Sequence, residues 1–180
     1  KSYVANSFGY PVFNADLEVS KLYKNNKKIF YKLNKKIPKY IFSFPIDKKE
    51  VTKAILSNNS NFKKIIKVIH SEIRKKMKLF LKKNKSKKIV VLDIPLLLEN
   101  RINHKKDILI FVHSNKKETF KRLKKRRSFN SDLLKKFKNI QLPLDYKKKK
   151  SDYVIKNDFT KKSLKKSVKL ILRKILVWKK

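Results

Sequence analysis

The sequence predicts an α/β fold with a parallel sheet, and three observations carry that prediction. Residues 89–100, IVVLDIPLLLEN, form a run apolar and β-branched enough to be a strand buried on both faces, the kind found in parallel sheets covered by helices. Shorter apolar runs of strand character recur at 10–16 (YPVFNAD), 107–112 (DILIFV) and 152–157 (DYVIKN). Segments of helical pattern lie between them, the alternation expected of right-handed crossovers. In the central run Asp93 closes the apolar stretch and Pro95 follows where no ladder N–H is needed, so 96–99 should form a shaped turn. That turn falls at the carboxyl edge of the sheet, where open α/β sheets bind their ligands.

A chain of 180 residues is long enough for one domain with a real core. Lysine and arginine number 52 against 13 acidic residues, a formal charge of +39, which on its face predicts a polyanionic partner. Only Arg74, Arg101, Arg122, Arg126, Arg127 and Arg173 are arginines, leaving 46 lysines. Phosphate readout favours the bidentate guanidinium, whereas a surplus of Lys, Asn, Ile and Phe is what A+T-rich codons give. A drifted surface composition is therefore weighed above a specific nucleic-acid function, and salt-sensitive sticking to polyanions is expected either way.

With no cysteine, disulfides and thiolate metal sites are excluded. His70, His104 and His113 lie too far apart for a local ligand motif. No apolar run reaches the ~18 residues of a membrane span, and no signal peptide opens the chain. A cytoplasmic protein is the expectation, and oligomeric state is open.

Lys1 and Ser2 open a helical-looking segment that ends at Gly9. Lys-Ser opening a helix is the tail of a phosphate-binding loop, whose full pattern is G-x-x-x-x-G-K-[ST] after a strand. The strand at 10–16 ends in Asn14 and Asp16, and residues 17–36 read as one helix. An aromatic loop bounded by Pro38 and Pro45 precedes Asp47 and Glu50, spaced as a capping box for a short helix through Leu56. Residues 58–61 form a turn and cap, and 62–81 a long helix with apolar residues at Ile65, Ile66, Ile69, Ile73, Met77 and Leu81. His70 and Arg74 stand beside that stripe, and for His70 a satisfied, half-buried core histidine is the plain alternative to a site role.

Residues 114–127 read as a helix carrying Arg122, Arg126 and Arg127, half of the chain's arginines within six residues. The cluster reads as an anion site or as a solvated helix end stabilised by positive charge. A helix over 131–140 and another opened by Pro143 precede the last strand. Residues 160–178 form a basic amphipathic helix; a membrane-surface role is conceivable, and packing on the sheet is favoured.

Taken together, several stretches resemble one family, the dephospho-coenzyme A kinases, which are small P-loop kinases. KSYVANSF is similar to the family's phosphate-loop end and first helix, VFNAD to its V-x-D-A-D segment and VIHSEIR to its L-H-P-x-I/V segment. DIPLLLEN resembles P-L-L-x-E, and QLPLDYKKKKSDYVIKND resembles the closing segment Q-M-P-x-x-x-K-x-x-x-A-D-x-V-I-x-N. The matches occur in the family's order over essentially the whole chain. Asn14 departs from the first Asp of D-A-D, and Ser71 from the Pro after the His. The resemblance implies that a strand and the loop glycines, about ten to twelve residues, precede Lys1.

The resemblance further implies a three-layer α/β/α P-loop nucleotide kinase with a parallel sheet, a helical acceptor-binding excursion over 24–88 and a lid over 121–137. Its reaction would move the γ-phosphate of ATP to the 3′-hydroxyl of dephospho-coenzyme A, the last step of coenzyme A synthesis, with Mg²⁺ as cofactor. By match of position Lys1 reaches the β- and γ-phosphates and Ser2 binds Mg²⁺. Asp16 accepts the attacking hydroxyl's proton, or holds the ribose without taking one. Arg126 approaches the phosphates with Arg122 as helper. His70, Arg74, Leu97 and Glu99 line the acceptor side and Asn157 lies near the adenine. For Glu99 a capping or surface carboxylate is the alternative, and for Asp93, which could hold Mg²⁺ indirectly, a strand-terminating role. Another small P-loop nucleotide kinase and, in a different class, a basic nucleic-acid-binding protein are the competing functions. No specific nucleic-acid partner and no membrane partner are expected.

Overall fold

The computed structural model describes residues 8–178. Lys1 and Ser2, and with them the expected phosphate-loop end, lie outside these residues. The chain's single glycine, Gly9, takes φ +73°, a left-handed conformation that costs glycine nothing. It turns the chain into β1 (Val12–Asn14), which pairs in parallel with β2 (Val91–Asp93) in the register Val12↔Val91, Phe13↔Leu92, Asn14↔Asp93. A second parallel pair joins β3 (Ile110–Ser114) to β4 (Tyr153–Asn157), with Ser114 opposite Asn157 at its end.

Every strand pairing is thus parallel, as expected, but the described residues form two two-stranded sheets. β2 is only half-buried along its length, not buried on both faces, because among the described residues it hydrogen-bonds to β1 alone. Its turn does form where Pro95 predicts, over 95–101, with Leu96 and Arg101 at positive φ.

Between β1 and β2 the chain builds a helical body. The expected helix over 17–36 is two helices, α1 (Ala15–Asn25) and α2 (Lys27–Lys36). Asn26 makes the break: its N–H closes α1 on the Leu22 carbonyl at 3.0 Å, and its Oδ1 accepts the Ile29 N–H at 3.0 Å to cap α2. Asn in the extended region is a strong N-cap and a poor helix interior residue.

α3 (Lys48–Ser57) starts on Asp47, whose Oδ1 accepts the Lys49 N–H at 2.8 Å. Glu50 does not complete the expected capping box. It turns inward instead, buried, and accepts the N–H groups of Phe42 (3.1 Å) and Ser43 (3.4 Å) in the preceding loop. Those two loop donors have no ladder to bond, so the carboxylate is of more use there than at the cap.

Asn58 caps α4 (Asn59–Lys83), on which Ile65, Ile69, Ile73 and Met77 are buried as their spacing predicts, joined by Phe62, while Ile66 and Leu81 are only half-buried. Leu22, Ile29, Leu33 and Ile41 are the most completely enclosed large side chains of this core, each contributing about 1.5–3 kcal/mol by burial.

After β3 the chain is more open. Asn115 caps α5 (Lys116–Lys124), which ends three residues earlier than expected. Arg126 and Arg127 therefore sit in the following turn, not on one helix face with Arg122. α6 (Ser131–Asn139) and α7 (Leu144–Lys149) follow. α8 (Lys161–Trp178) packs through Leu164, Val168, Ile171 and Ile175 around Ile155 of β4, which is the sheet-packing reading of that basic helix. Among the described residues no helix is long and apolar enough to cross a membrane.

Candidate active site

Parallel pairing in register brings the ends of β1 and β2 together, and with them Asn14 and Asp16 at one strand end and Asp93, distant in sequence, at the other. Asn14 uses both ends of its amide. Its Oδ1 accepts the Leu17 N–H at 2.9 Å, capping α1, and its Nδ2 donates to Asp93 Oδ2 at 3.3 Å across the strand pair. An aspartate there could cap the helix but could not donate, and would face Asp93 as a like charge. The substitution at this family position therefore leaves an edge with two carboxylates, Asp16 and Asp93.

Asp16 lies exposed in the first turn of α1, at the positive end of the helix. Two residues on, in the same turn, Glu18 bonds Lys21 at 2.6 Å and Lys76 of α4 at 3.1 Å. Burial alone would raise the Glu18 pKa, but these two lysines outweigh it and hold the carboxyl below its ordinary range. The ion pair to Lys76 fixes α1, and hence Asp16, against the long helix that carries His70 and Arg74.

His70 is half-buried. Desolvation, reinforced by the Arg74 guanidinium, pushes its pKa down, so the imidazole is neutral at neutral pH. His70 and Arg74 share one face of α4 with Lys67, Ser71, Lys75 and Lys78, lining a groove of about 470 Å³ that has no acidic side chain among those six. A groove of this charge suits a phosphorylated acceptor.

Leu97 and Glu99 occupy the turn after β2. Leu97 is half-buried and its carbonyl accepts the Ile102 N–H at 3.2 Å. Glu99 is largely buried and accepts from Lys147 Nζ of α7 and from the Leu142 N–H at 3.1 Å. Burial raises the Glu99 pKa, and the bonds from Lys147 and the backbone more than reverse it, so the carboxyl is held low. These contacts make Glu99 a brace between the turn and the α7 segment. Lys147 carried no signal of this in a run of four lysines.

At the ends of β3 and β4, Asn157 Nδ2 lies 3.5 Å from Ser114 Oγ. Asn157 Oδ1 accepts the Phe159 N–H at 2.9 Å, holding Phe159 at φ +65°. The Arg122 guanidinium lies 4.3 Å from the Phe159 ring centroid and its Nε donates to Glu118 at 2.7 Å. Arg122 is thus joined to the Asn157 loop through a ring that nothing in the sequence singled out. Arg126 and Arg127 project from the exposed turn between α5 and α6.

Comparisons with known proteins bear on this arrangement. A sequence model of the family described as dephospho-CoA kinase matches residues 1–163. The dephospho-CoA kinase of Wolbachia pipientis wMel is 33% identical over 177 residues, covering 96% of this chain and 90% of that protein. That of Bartonella quintana (strain Toulouse) is 30% identical over 163 residues, covering 86% of this chain and 82% of the relative. Among solved structures, a Thermus thermophilus protein superposes with a TM-score of 0.73 and a dephospho-CoA kinase from Campylobacter jejuni with 0.62. Both are 22% identical to this chain, cover 96% of it and are themselves covered to 88%, a likeness of fold.

Proposed function

The chain belongs to the dephospho-coenzyme A kinase family, and from that premise we propose that the carboxyl edge of β1 and β2 is the reacting centre of its phosphoryl transfer. The chain is an ATP-dependent kinase that phosphorylates dephospho-coenzyme A in coenzyme A biosynthesis. The acceptor atom in this reading is the ribose 3′-hydroxyl. The observation that carries the site is the meeting of Asn14, Asp16 and Asp93 at one edge, with α1 tied to the cationic groove of α4 through Glu18 and Lys76.

Phosphoryl transfer asks for positioning and charge neutralisation more than for covalent chemistry. Asp16, anionic and accessible, orients the attacking hydroxyl and accepts its proton. Asn14 holds Asp93 through its amide and prevents the two edge carboxylates from drifting together. The groove residues Lys67, His70, Arg74 and Lys78 bind the charged part of the acceptor, with His70 neutral as a hydrogen-bonding group. Arg126 neutralises charge on the transferring group and Arg122 supports the nucleotide beside Asn157. Lys1 serves the β- and γ-phosphates.

Among the described residues no cluster of three or more His, Cys, Asp or Glu could hold a metal by itself. Mg²⁺ is commonly held by one or two carboxylates together with substrate phosphates, and the oxygen donors of Ser2 and Asp93 fit that role. Bound there, Mg²⁺ would neutralise phosphate charge. The helical body over 24–88 acts as the acceptor-binding region and 121–137 as the lid.

The test is acceptor choice: ATP consumption by the protein, with dephospho-coenzyme A against nucleoside monophosphates. Turnover confined to dephospho-coenzyme A supports the reading. Preferential turnover of a nucleoside monophosphate overturns it.

A further inference from the structure

Two bodies of unequal packing meet at the turn that carries Arg126 and Arg127, and its two flanks are anchored differently. On the α5 side the turn is held by aromatic and cation–π contacts: Phe120 meets Phe129 edge-on at 6.3 Å and Arg122 lies over Phe159. On the other side α6 leaves its own sheet and docks on the helical body. Leu133 and Phe137 pack against the core of that body, and the Phe137 ring meets Phe62 of α4 edge-on at 5.7 Å. Lys136 Nζ donates to the Ile55 carbonyl of α3 at 2.5 Å and lies 5.7 Å from the Phe62 ring centroid.

The Ile55 carbonyl is one of the last four of α3, which ends at Ser57. Such carbonyls have no partner within their own helix and sit at its negative end. A lysine reaching one of them from another element makes a bond that is locally favoured and directional. Between the two anchors the turn is short and closed by its own backbone bonds, Arg126 N–H to the Leu123 carbonyl at 3.0 Å and Phe129 N–H to the Arg126 carbonyl at 2.9 Å. Fixing both flanks therefore fixes the arginines.

We propose that Lys136 and Phe137 are positioning residues that latch the arginine-bearing turn to the acceptor-binding helices, so that the placement of Arg126 is set by the body that holds the acceptor. The proposal rests on the reading of Arg126 as a phosphate-stabilising residue. Lys136 and Phe137 touch neither substrate. Their effect reaches the reaction through the turn, and an acceptor that shifts α3 and α4 carries the turn with it.

Lys136→Met keeps the aliphatic stem and removes the bond to Ile55, and Phe137→Leu keeps apolar volume and removes the ring contact, so both variants should fold. Each should lower kcat about tenfold with the KM for ATP within about twofold of the parent. In an Arg126→Ala background Lys136→Met should cost less than about twofold, because the latch acts through that arginine. An equal factor in both backgrounds would overturn the proposal, since a merely structural loss adds.

The cysteine-free sequence permits a readout independent of activity. Spin labels at cysteines introduced by Ser128→Cys in the turn and Lys53→Cys on α3 should give a narrow distance distribution that Lys136→Met broadens. An unchanged distribution would overturn the latch. If Arg126→Ala itself leaves the rate unaltered while the label distances still respond, the reading of the arginine fails and the mechanical latch stands.

Discussion

The helical half of the molecule and the half built on β3 and β4 are packed to different standards. In the first, Leu33, Ile41 and Ala54 have no solvent exposure, and α1 to α4 share one continuous core that also draws in Phe13 of β1. In the second, the buried set among the described residues is Ile155, Ile171 and Ile175, each 5–8% exposed, and α5, α6 and α7 contain no buried residue. The second half adds polar and cation–π contacts to that thin core, among them Glu99 with Lys147 and Arg122 with Phe159. Elements that move in a catalytic cycle are drawn from regions of low local stability. In the function proposed above, the tightly packed half is the acceptor platform and the loosely packed half the nucleotide side, the arrangement that lid closure requires.

Truncation in each core sharpens the contrast most. Leu33→Ala should cost about 3–4 kcal/mol, because an enclosed site relaxes little around the cavity. Ile175→Ala, in the thin core, should cost about 2 kcal/mol by the same reasoning. Urea unfolding of both variants checks the order, and equal costs would remove the difference between the halves.

Glu99→Gln comes next. It leaves the largely buried Lys147 without its carboxylate and should destabilise by about 2 kcal/mol, while hydrogen exchange slows no further in α1 to α4 and quickens in α7.

The pH dependence has a definite sign. Glu18 and Glu99 have folded pKa values below the ordinary 4.5. Their contribution is complete above about pH 4.5 and is lost as the pH falls through the folded values. His70, lowered from 6.5, acts in the same direction at a higher pH, because the unfolded chain takes up the proton first. Stability should therefore begin to fall below about pH 6.5 and fall again below about pH 4.5. His70→Gln should remove the first step and Glu99→Gln part of the second, read as urea midpoints across that range. The smallest effect is expected for Glu118→Ala, whose exposed pair with Arg122 should contribute about 0.5 kcal/mol or less.

How much of this was legible in the sequence follows the same division. The stripe of α4 and the strand ends at Asn14, Asp93 and Asn157 were readable because period and punctuation are local properties. The break at Asn26 and the inward turn of Glu50 were not, since each is decided by donors on a neighbouring segment. Likewise the expected helix over 114–127 stops at Lys124, and Arg126 leaves the face of Arg122. Asp16 could be named from its motif, but the amide bond from Asn14 to Asp93 depends on a register between strands 79 residues apart. The latch lysine Lys136 and the brace lysine Lys147 were invisible among so many lysines, because only a partner distinguishes a working lysine from a solvated one.

The most direct test of the account is coenzyme A formation from ATP, Mg²⁺ and dephospho-coenzyme A by the protein, beside its Asp16→Asn variant. The account predicts product from the parent and a loss of kcat of about 10²-fold or more in the variant, with little change in the KM for ATP. A variant that retains full turnover would contradict the assignment of the reacting centre to the edge of β1 and β2.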